Sequence, residues 1–123
     1  MVTSLKLEEY LEKWVRGEAE EIVEYLAAAI VAEEQGLVEV AQALKMIALE
    51  EAMHGAKALV QAGKIGDLKE FIRKRIEEEK EAARVRHEEA SHHDEPWKTL
   101  FEYTARDEER HARILEGILR KLG

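Results

Sequence analysis

The sequence predicts an all-α protein in which four helices form a bundle. The 123-residue chain is rich in Glu, Lys, Arg, Ala and Leu and contains a single proline, a composition that favours helices. A few turn signals divide it into four long segments, and apolar side chains recur in each segment at spacings of three and four. No segment alternates with the period of a strand. A chain of this length suits one core, so we expect a single domain over residues 1–123.

The first two helices are expected to form a hairpin over residues 5–62. Gly36 ends the first helix, because glycine readily adopts the left-handed conformation that follows a helix. Gly17 is expected to kink this helix and to leave a short pre-helix over residues 5–16. The second helix covers residues 38–62.

Residues 63–66 include two glycines and are predicted to form the turn into a second hairpin, over residues 67–122. Asp67 followed by Glu70 resembles a capping box, which starts the third helix. The polar segment 91–96 ends in proline and separates the third helix from the fourth.

Composition excludes several classes of function. The net charge is −8, with 19 basic and 27 acidic side chains, so nucleic acid is not an expected partner. The absence of cysteine excludes disulfides, cysteine-ligated zinc and iron–sulfur clusters. The longest apolar run, residues 26–32, is too short to span a membrane, and the N-terminus lacks the apolar core of a signal peptide. We therefore expect a cytoplasmic protein without a membrane partner.

Every apolar stripe is interrupted near its middle by glutamate or histidine, side chains of the types that can bind metals. The 100° rotation per residue places these side chains on the inward face of each helix. The first and third helices contribute one glutamate each, and the second and fourth contribute a Glu-x-x-His pair: Glu18; Glu51 and His54; Glu79; Glu108 and His111. Four carboxylates clustered inside a bundle repel one another and lose hydration, so they require a counter-charge. Two divalent cations would balance them.

Symmetry distinguishes these two Glu-x-x-His pairs from a third, Glu89 and His92, which lies beside a turn. The lone glutamate and the paired glutamate are 33 residues apart in the first hairpin and 29 apart in the second, so folding each hairpin brings them level. This is the dimetal pattern of ferritin-like bundles. Mixed carboxylate and imidazole ligands favour two iron ions, with manganese or zinc as alternatives.

One ligand position has an alternative within the third helix. Glu78 lies beside Glu79 at the edge of the apolar stripe and is the second candidate for the same role. The turn residues His87, His92 and His93 are interpreted as solvated side chains.

The residues around these positions resemble the rubrerythrin family. The segment from Gly17 to His54, which ends Glu-Glu-Ala-Met-His, is similar to the family's first hairpin, and residues 107–111 are similar to the end of its second. The resemblance covers about residues 10–122. It implies that the lone glutamates, Glu18 and Glu79, are terminal ligands. The paired glutamates, Glu51 and Glu108, would bridge the two metals and form the catalytic centre. Each histidine, His54 or His111, would complete the ligands of one metal.

The resemblance implies a non-haem di-iron oxidoreductase that reduces hydrogen peroxide or dioxygen and acts against oxidative stress. Such peroxidases usually carry a further carboxylate one turn after the third-helix ligand. That position is Ala82 if Glu79 is the ligand and Glu81 if Glu78 is. Because the sequence contains no rubredoxin-type iron site, electrons are expected from an external donor. The alternatives are a ferroxidase or iron-sequestering protein without peroxidase turnover, and a metal-free helical interaction module.

The short link between the hairpins predicts a homodimer. Ferritin-like bundles run their second and third helices in the same direction, which requires a long crossover. Residues 63–67 are too few to return along the bundle. We therefore expect a domain-swapped dimer, in which the first hairpin of one subunit pairs with the second hairpin of the other. A monomer that runs up-down-up-down is the alternative.

Overall fold

The computed structural model describes residues 2–123, and it describes side chains from residue 6 onward. Four helices follow one another: α1 (Val2–Glu34), α2 (Val38–Gln61), α3 (Leu68–Ala90) and α4 (Trp97–Leu122). The described residues contain no strand, and none of their helices is long and apolar enough to cross a membrane. The predicted all-α class with four helices is confirmed.

The chain divides into two compact units. Hairpin 1 extends to Lys64 and packs α1 against α2, and hairpin 2 begins at Ile65 and packs α3 against α4. The predicted hairpin bounds, residues 5–62 and 67–122, and the membership of both hairpins in a single domain stay predictions.

Gly17 does not divide the first helix. Helix α1 is continuous from Val2 to Glu34, so the separate pre-helix over residues 5–16 is not present. The physical reason is that a glycine inside a helix costs only about 1 kcal/mol relative to alanine and retains its backbone N–H. The residues around it therefore continue the helical hydrogen bonding.

Glycines with positive φ end both helices of hairpin 1. Gly36 has φ +77° and Gly63 has φ +69°, a region that other residues rarely adopt. After Gly63, the backbone N–H of Lys64 donates to the carbonyl oxygen of Leu59 at 3.0 Å. This bond ties the chain to the end of α2 as far as Lys64.

One of the two hydrogen bonds expected of the capping box at the start of α3 is present. The Asp67 carboxylate accepts a hydrogen bond from the backbone N–H of Glu70 at 3.0 Å. The Glu70 side chain pairs with Arg73. Asp67 therefore satisfies a free N–H at the start of the helix by itself.

Small residues form the most closely packed face of both hairpins. In α2 and α4 they recur every seven residues, and all are buried: Ala41, Ala48 and Gly55; Ala105 and Ala112. Small side chains at this spacing allow two helix backbones to approach each other, while many larger apolar side chains stay exposed. Close helix contact within each hairpin therefore depends on alanine and glycine.

Enlarging this face should destabilise the protein. Ala48 is 2% exposed, so Ala48→Leu forces extra carbons into a filled contact and should lower the free energy of unfolding by about 1–3 kcal/mol. Ala43→Leu is the matched control, because Ala43 is exposed on the same helix. Urea unfolding of the two variants measures the difference. Equal stabilities would contradict this packing.

The stability contributed by the start of α4 should depend on pH. The Glu95 carboxylate accepts hydrogen bonds from the hydroxyl and the backbone N–H of Thr99, and these bonds lower the pKa of Glu95 below its usual 4.5. A lowered pKa in the folded state stabilises the protein above pH 4.5, and this stabilisation is lost as the pH falls through the folded-state value. Glu95→Ala should therefore lower the free energy of unfolding by the same amount at every pH from 7 to about 5, and by less at lower pH. Urea unfolding at each pH tests this, and a difference that does not change with pH would contradict it.

Candidate metal centre

Hairpin 1 brings three of the predicted ligands together. We call Glu18 on α1 with Glu51 and His54 on α2 the first ligand set. The spacing of three residues along α2 places Glu51 and His54 on one face, with Glu51 Oε1 3.9 Å from His54 Nδ1. One ligand atom from each member lies within 4.8 Å of the others. This arrangement fits a single cation shared by the three side chains.

The two carboxyl groups of this set interact directly. Their contact lowers the pKa of Glu18 and raises that of Glu51, because two adjacent carboxyl groups do not both ionise easily. Trp14 Nε1 donates a hydrogen bond to Glu18 Oε1 at 2.8 Å. The other oxygen of Glu18, Oε2, is buried and has no hydrogen-bond partner. A buried carboxylate oxygen without a donor is a position that a cation would satisfy.

Trp14 is expected to orient Glu18. Trp14→Phe retains an aromatic ring but removes the N–H, so Glu18 should be less well ordered and metal should bind about 10-fold more weakly. Trp97→Phe is the matched control, because Trp97 is the first residue of α4, in the other hairpin from Glu18. Competition with a coloured chelator measures the affinity. An equal loss in both variants would contradict the orienting role.

Hairpin 2 arranges its three predicted ligands differently. We call Glu79 on α3 with Glu108 and His111 on α4 the second ligand set. Glu79 Oε2 lies 3.6 Å from His111 Nδ1, and the Glu79 side chain is only 14% exposed. Glu108 Oε2 is buried without a hydrogen-bond partner. Unlike the first set, these three do not converge to within a metal's reach in the described chain.

The structure distinguishes Glu79 from Glu78. Both side chains contact Arg75, but Glu78 is 47% exposed, whereas Glu79 is 14% exposed and also lies beside His111. Residue 82, one turn beyond Glu79, is an alanine, and the nearby Glu81 is an exposed partner of Arg84. The further carboxylate expected of a peroxidase is therefore not supplied by α3 at that position.

The histidines near the second turn form separate pairs. His87 contacts Glu109, and His93 contacts Glu89 at 3.0 Å. All three histidines there, including His92, are exposed. Among the described residues they do not belong to a group of ligand atoms close enough to hold a metal.

Two residues near the lone glutamates were not identified as functional from the sequence. Trp14 lies four residues before Glu18, and Arg75 lies four residues before Glu79, whose Oε1 is 3.2 Å from Arg75 Nη2. The spacing of four was the available signal, since it places side chains next to each other on a helix. The two hairpins therefore supply different groups, an indole and a guanidinium, at corresponding positions.

Comparison with known proteins adds two relatives. The chain is 38% identical over 121 residues to the uncharacterized protein MJ0746 of Methanocaldococcus jannaschii, covering 93% of this chain and 84% of that protein. It is 35% identical over 112 residues to reverse rubrerythrin-1 of Clostridium acetobutylicum, covering 85% of this chain but only 61% of that protein. No protein-family model and no solved structure matches it. By identity and coverage, the chain belongs to the same family as the Methanocaldococcus protein, and it is similar to a reverse rubrerythrin.

Proposed function

We propose that this chain is a rubrerythrin-type di-iron protein that reduces hydrogen peroxide or dioxygen with electrons from an external donor. The observation that carries the proposal is the convergence of Glu18, Glu51 and His54 to within 4.8 Å. Similarity to a reverse rubrerythrin supports it. A cytoplasmic location, which the sequence predicts, is part of the same proposal.

By the chemistry of their donor atoms, the residues present suit two iron ions. The six ligands would be the first and second ligand sets, which supply only carboxylate oxygens and imidazole nitrogens. Buried oxygens of Glu18 and Glu108 have no hydrogen-bond partner, and four glutamates balance the charge of two ferrous ions. When bound, each ferrous ion would supply one electron to the oxidant. Manganese or zinc would suit the same donors, but zinc has no redox chemistry.

The protein's own residues would set the properties of the centre. Glu51 and Glu108 are the proposed bridges, so each would contact both metals. Trp14 restrains one oxygen of Glu18 through its N–H at 2.8 Å and leaves the second oxygen free for a metal. Restraining a ligand in this way raises metal affinity, because less conformational freedom is lost on binding.

Iron oxidation without peroxidase turnover is the second candidate function. The observation that favours it is Ala82, which occupies the position where a peroxidase of this type usually carries a further carboxylate. In this case the protein would oxidise and retain iron, and steady reduction of peroxide would not follow.

Peroxide consumption by protein loaded anaerobically with ferrous iron separates the candidates. Continuous consumption in the presence of a reductant supports the redox protein. A single stoichiometric oxidation supports iron sequestration. Absence of bound iron would contradict both and favour a metal-free interaction module. Glu51→Ala is the control, since it should be inactive in either case.

We further propose that the protein is a domain-swapped homodimer. Both hairpins expose large apolar side chains, including Ile30 and Met53 in hairpin 1 and Leu100 and Ile114 in hairpin 2. Each hairpin also carries only three of the six ligands. A bundle formed from hairpin 1 of one subunit and hairpin 2 of another would cover apolar surface and complete the centre.

The link between the hairpins supports swapping. In a ferritin-like bundle, the link would have to return along the bundle axis from the end of α2 to the start of α3. That path rises about 10 Å to the level of His54 and about 16 Å more to the start of α3. Since Lys64 is tied to α2 and Asp67 caps α3, only three backbone steps are free, and these reach about 10 Å. This distance is too short for the crossover within one bundle.

Complementation between two inactive variants tests the swap. Co-expressed with different tags, Glu51→Ala and Glu108→Ala subunits form a heterodimer. In a swapped heterodimer, one site receives both altered hairpins and the other receives two intact ones. Purified heterodimers should then bind two metals, whereas each homodimer should bind none. Heterodimers without metal, or a stable monomer with two metals by light scattering, would refute the swap.

A further inference from the structure

The second ligand set forms an ion pair with an arginine, and the first set does not among the described side chains. Arg75 Nη2 lies 3.2 Å from Glu79 Oε1, and Arg75 Nη1 lies 3.3 Å from Glu78 Oε1. His111 approaches the other oxygen of Glu79, at 3.6 Å. Both oxygens of Glu79 are therefore engaged by groups that carry, or can acquire, positive charge.

The corresponding position in hairpin 1 holds a neutral group. Trp14 contacts Glu18 there, so it orders the carboxylate without compensating its charge. Among the side chains that the structure describes, no lysine or arginine forms an ion pair with Glu18 or Glu51, and the basic partner of Glu51 is the proposed ligand His54. A cation bound by Glu79 would lie close to the guanidinium of Arg75. Like charges a few ångströms apart repel each other even beside water.

We propose that Arg75 is a positioning residue that competes with metal for Glu79, so that the second ligand set binds its metal after the first set and more weakly. The proposal rests on the proposed dimetal function and adds an order of loading to it. Arg75 would hold Glu79 in place and would have to release it when the second ion binds.

The exposure of the pair is compatible with such a release. The Arg75 side chain is 43% exposed, while Glu79 is 14% exposed. Glu78, at 47% exposed, already shares the guanidinium and remains available as its partner. Arg75 can therefore leave Glu79 without becoming an unpaired buried charge.

Cobalt(II) titration of the purified full-length protein provides the test. The wild-type protein should bind two ions with dissociation constants separated by about tenfold, the order expected for a unit charge a few ångströms from a divalent ion in a water-like dielectric. Arg75→Gln should strengthen the second step about tenfold and leave the first unchanged. Arg75→Lys retains the charge and should retain most of the separation.

Arg73→Gln is the matched control. Arg73 lies on the same helix and pairs with Glu70 on its exposed surface, so this substitution removes the same charge without touching Glu79. It should leave both binding steps unchanged. Circular dichroism of every variant verifies that the helices are retained.

The outcomes separate this proposal from the proposed function. Two ions bound with unchanged constants in Arg75→Gln would overturn the role of Arg75 and leave the dimetal site intact. Loss of the second ion in Arg75→Gln would also overturn it, because Arg75 would then assist binding. Failure of the wild-type protein to bind two ions would overturn the proposed function itself.

Discussion

Glu51→Ala should eliminate binding of both metal ions. Glu51 lies beside Glu18 and His54 and is the proposed bridge, so its loss removes a ligand from each ion at once. Glu108→Ala should have the same effect from hairpin 2. Metal analysis after anaerobic loading with ferrous iron should fall from two ions per chain to about none.

Two controls define the specificity of this loss. Glu50→Ala removes an exposed neighbouring carboxylate, and His92→Ala removes an exposed histidine of the third Glu-x-x-His pair. Both variants should keep two ions per chain. If Glu51→Ala keeps two ions and His92→Ala does not, the assignment of the ligands is wrong.

Metal should raise the melting temperature of the protein substantially. An ion that binds only the folded form stabilises it by about 2.7 kcal/mol when its concentration is 100 times the dissociation constant. For a chain of this size, that stabilisation corresponds to about 10 °C. Manganese(II) is a convenient probe, because it suits the same ligands and is less readily oxidised in air than ferrous iron.

The comparison needs a chelator and a variant that lacks the site. Thermal unfolding monitored by circular dichroism should shift upward on replacing EDTA with manganese(II). The shift should be absent in Glu51→Ala and present in Glu50→Ala. An equal shift in Glu51→Ala would mean that manganese stabilises the protein through other carboxylates.

The sequence by itself determined the helices and the candidate ligands. Turn glycines, the Asp67 cap and apolar spacing are local signals, and the four helices begin and end close to where these signals predict. The Glu-x-x-His spacing within α2 is equally local, since residues three apart share a helix face. Pairing Glu18 with Glu51 required only the additional assumption that the chain folds back at Gly36. That these residues bind iron stays a prediction.

Only the tertiary structure decided how each hairpin packs and which groups surround the ligands. Alanine and glycine at intervals of seven form the close contact, because two helices approach most nearly where side chains are small. The sequence placed Glu79 on the inward stripe and left Glu78, at the edge of that stripe, as an alternative. The packing of α3 against α4 placed Glu79 beside His111. The Arg75–Glu79 pair is local, because residues four apart meet on a helix, whereas His111 reaches Glu79 only because α4 packs against α3, a contact that residue spacing alone does not specify.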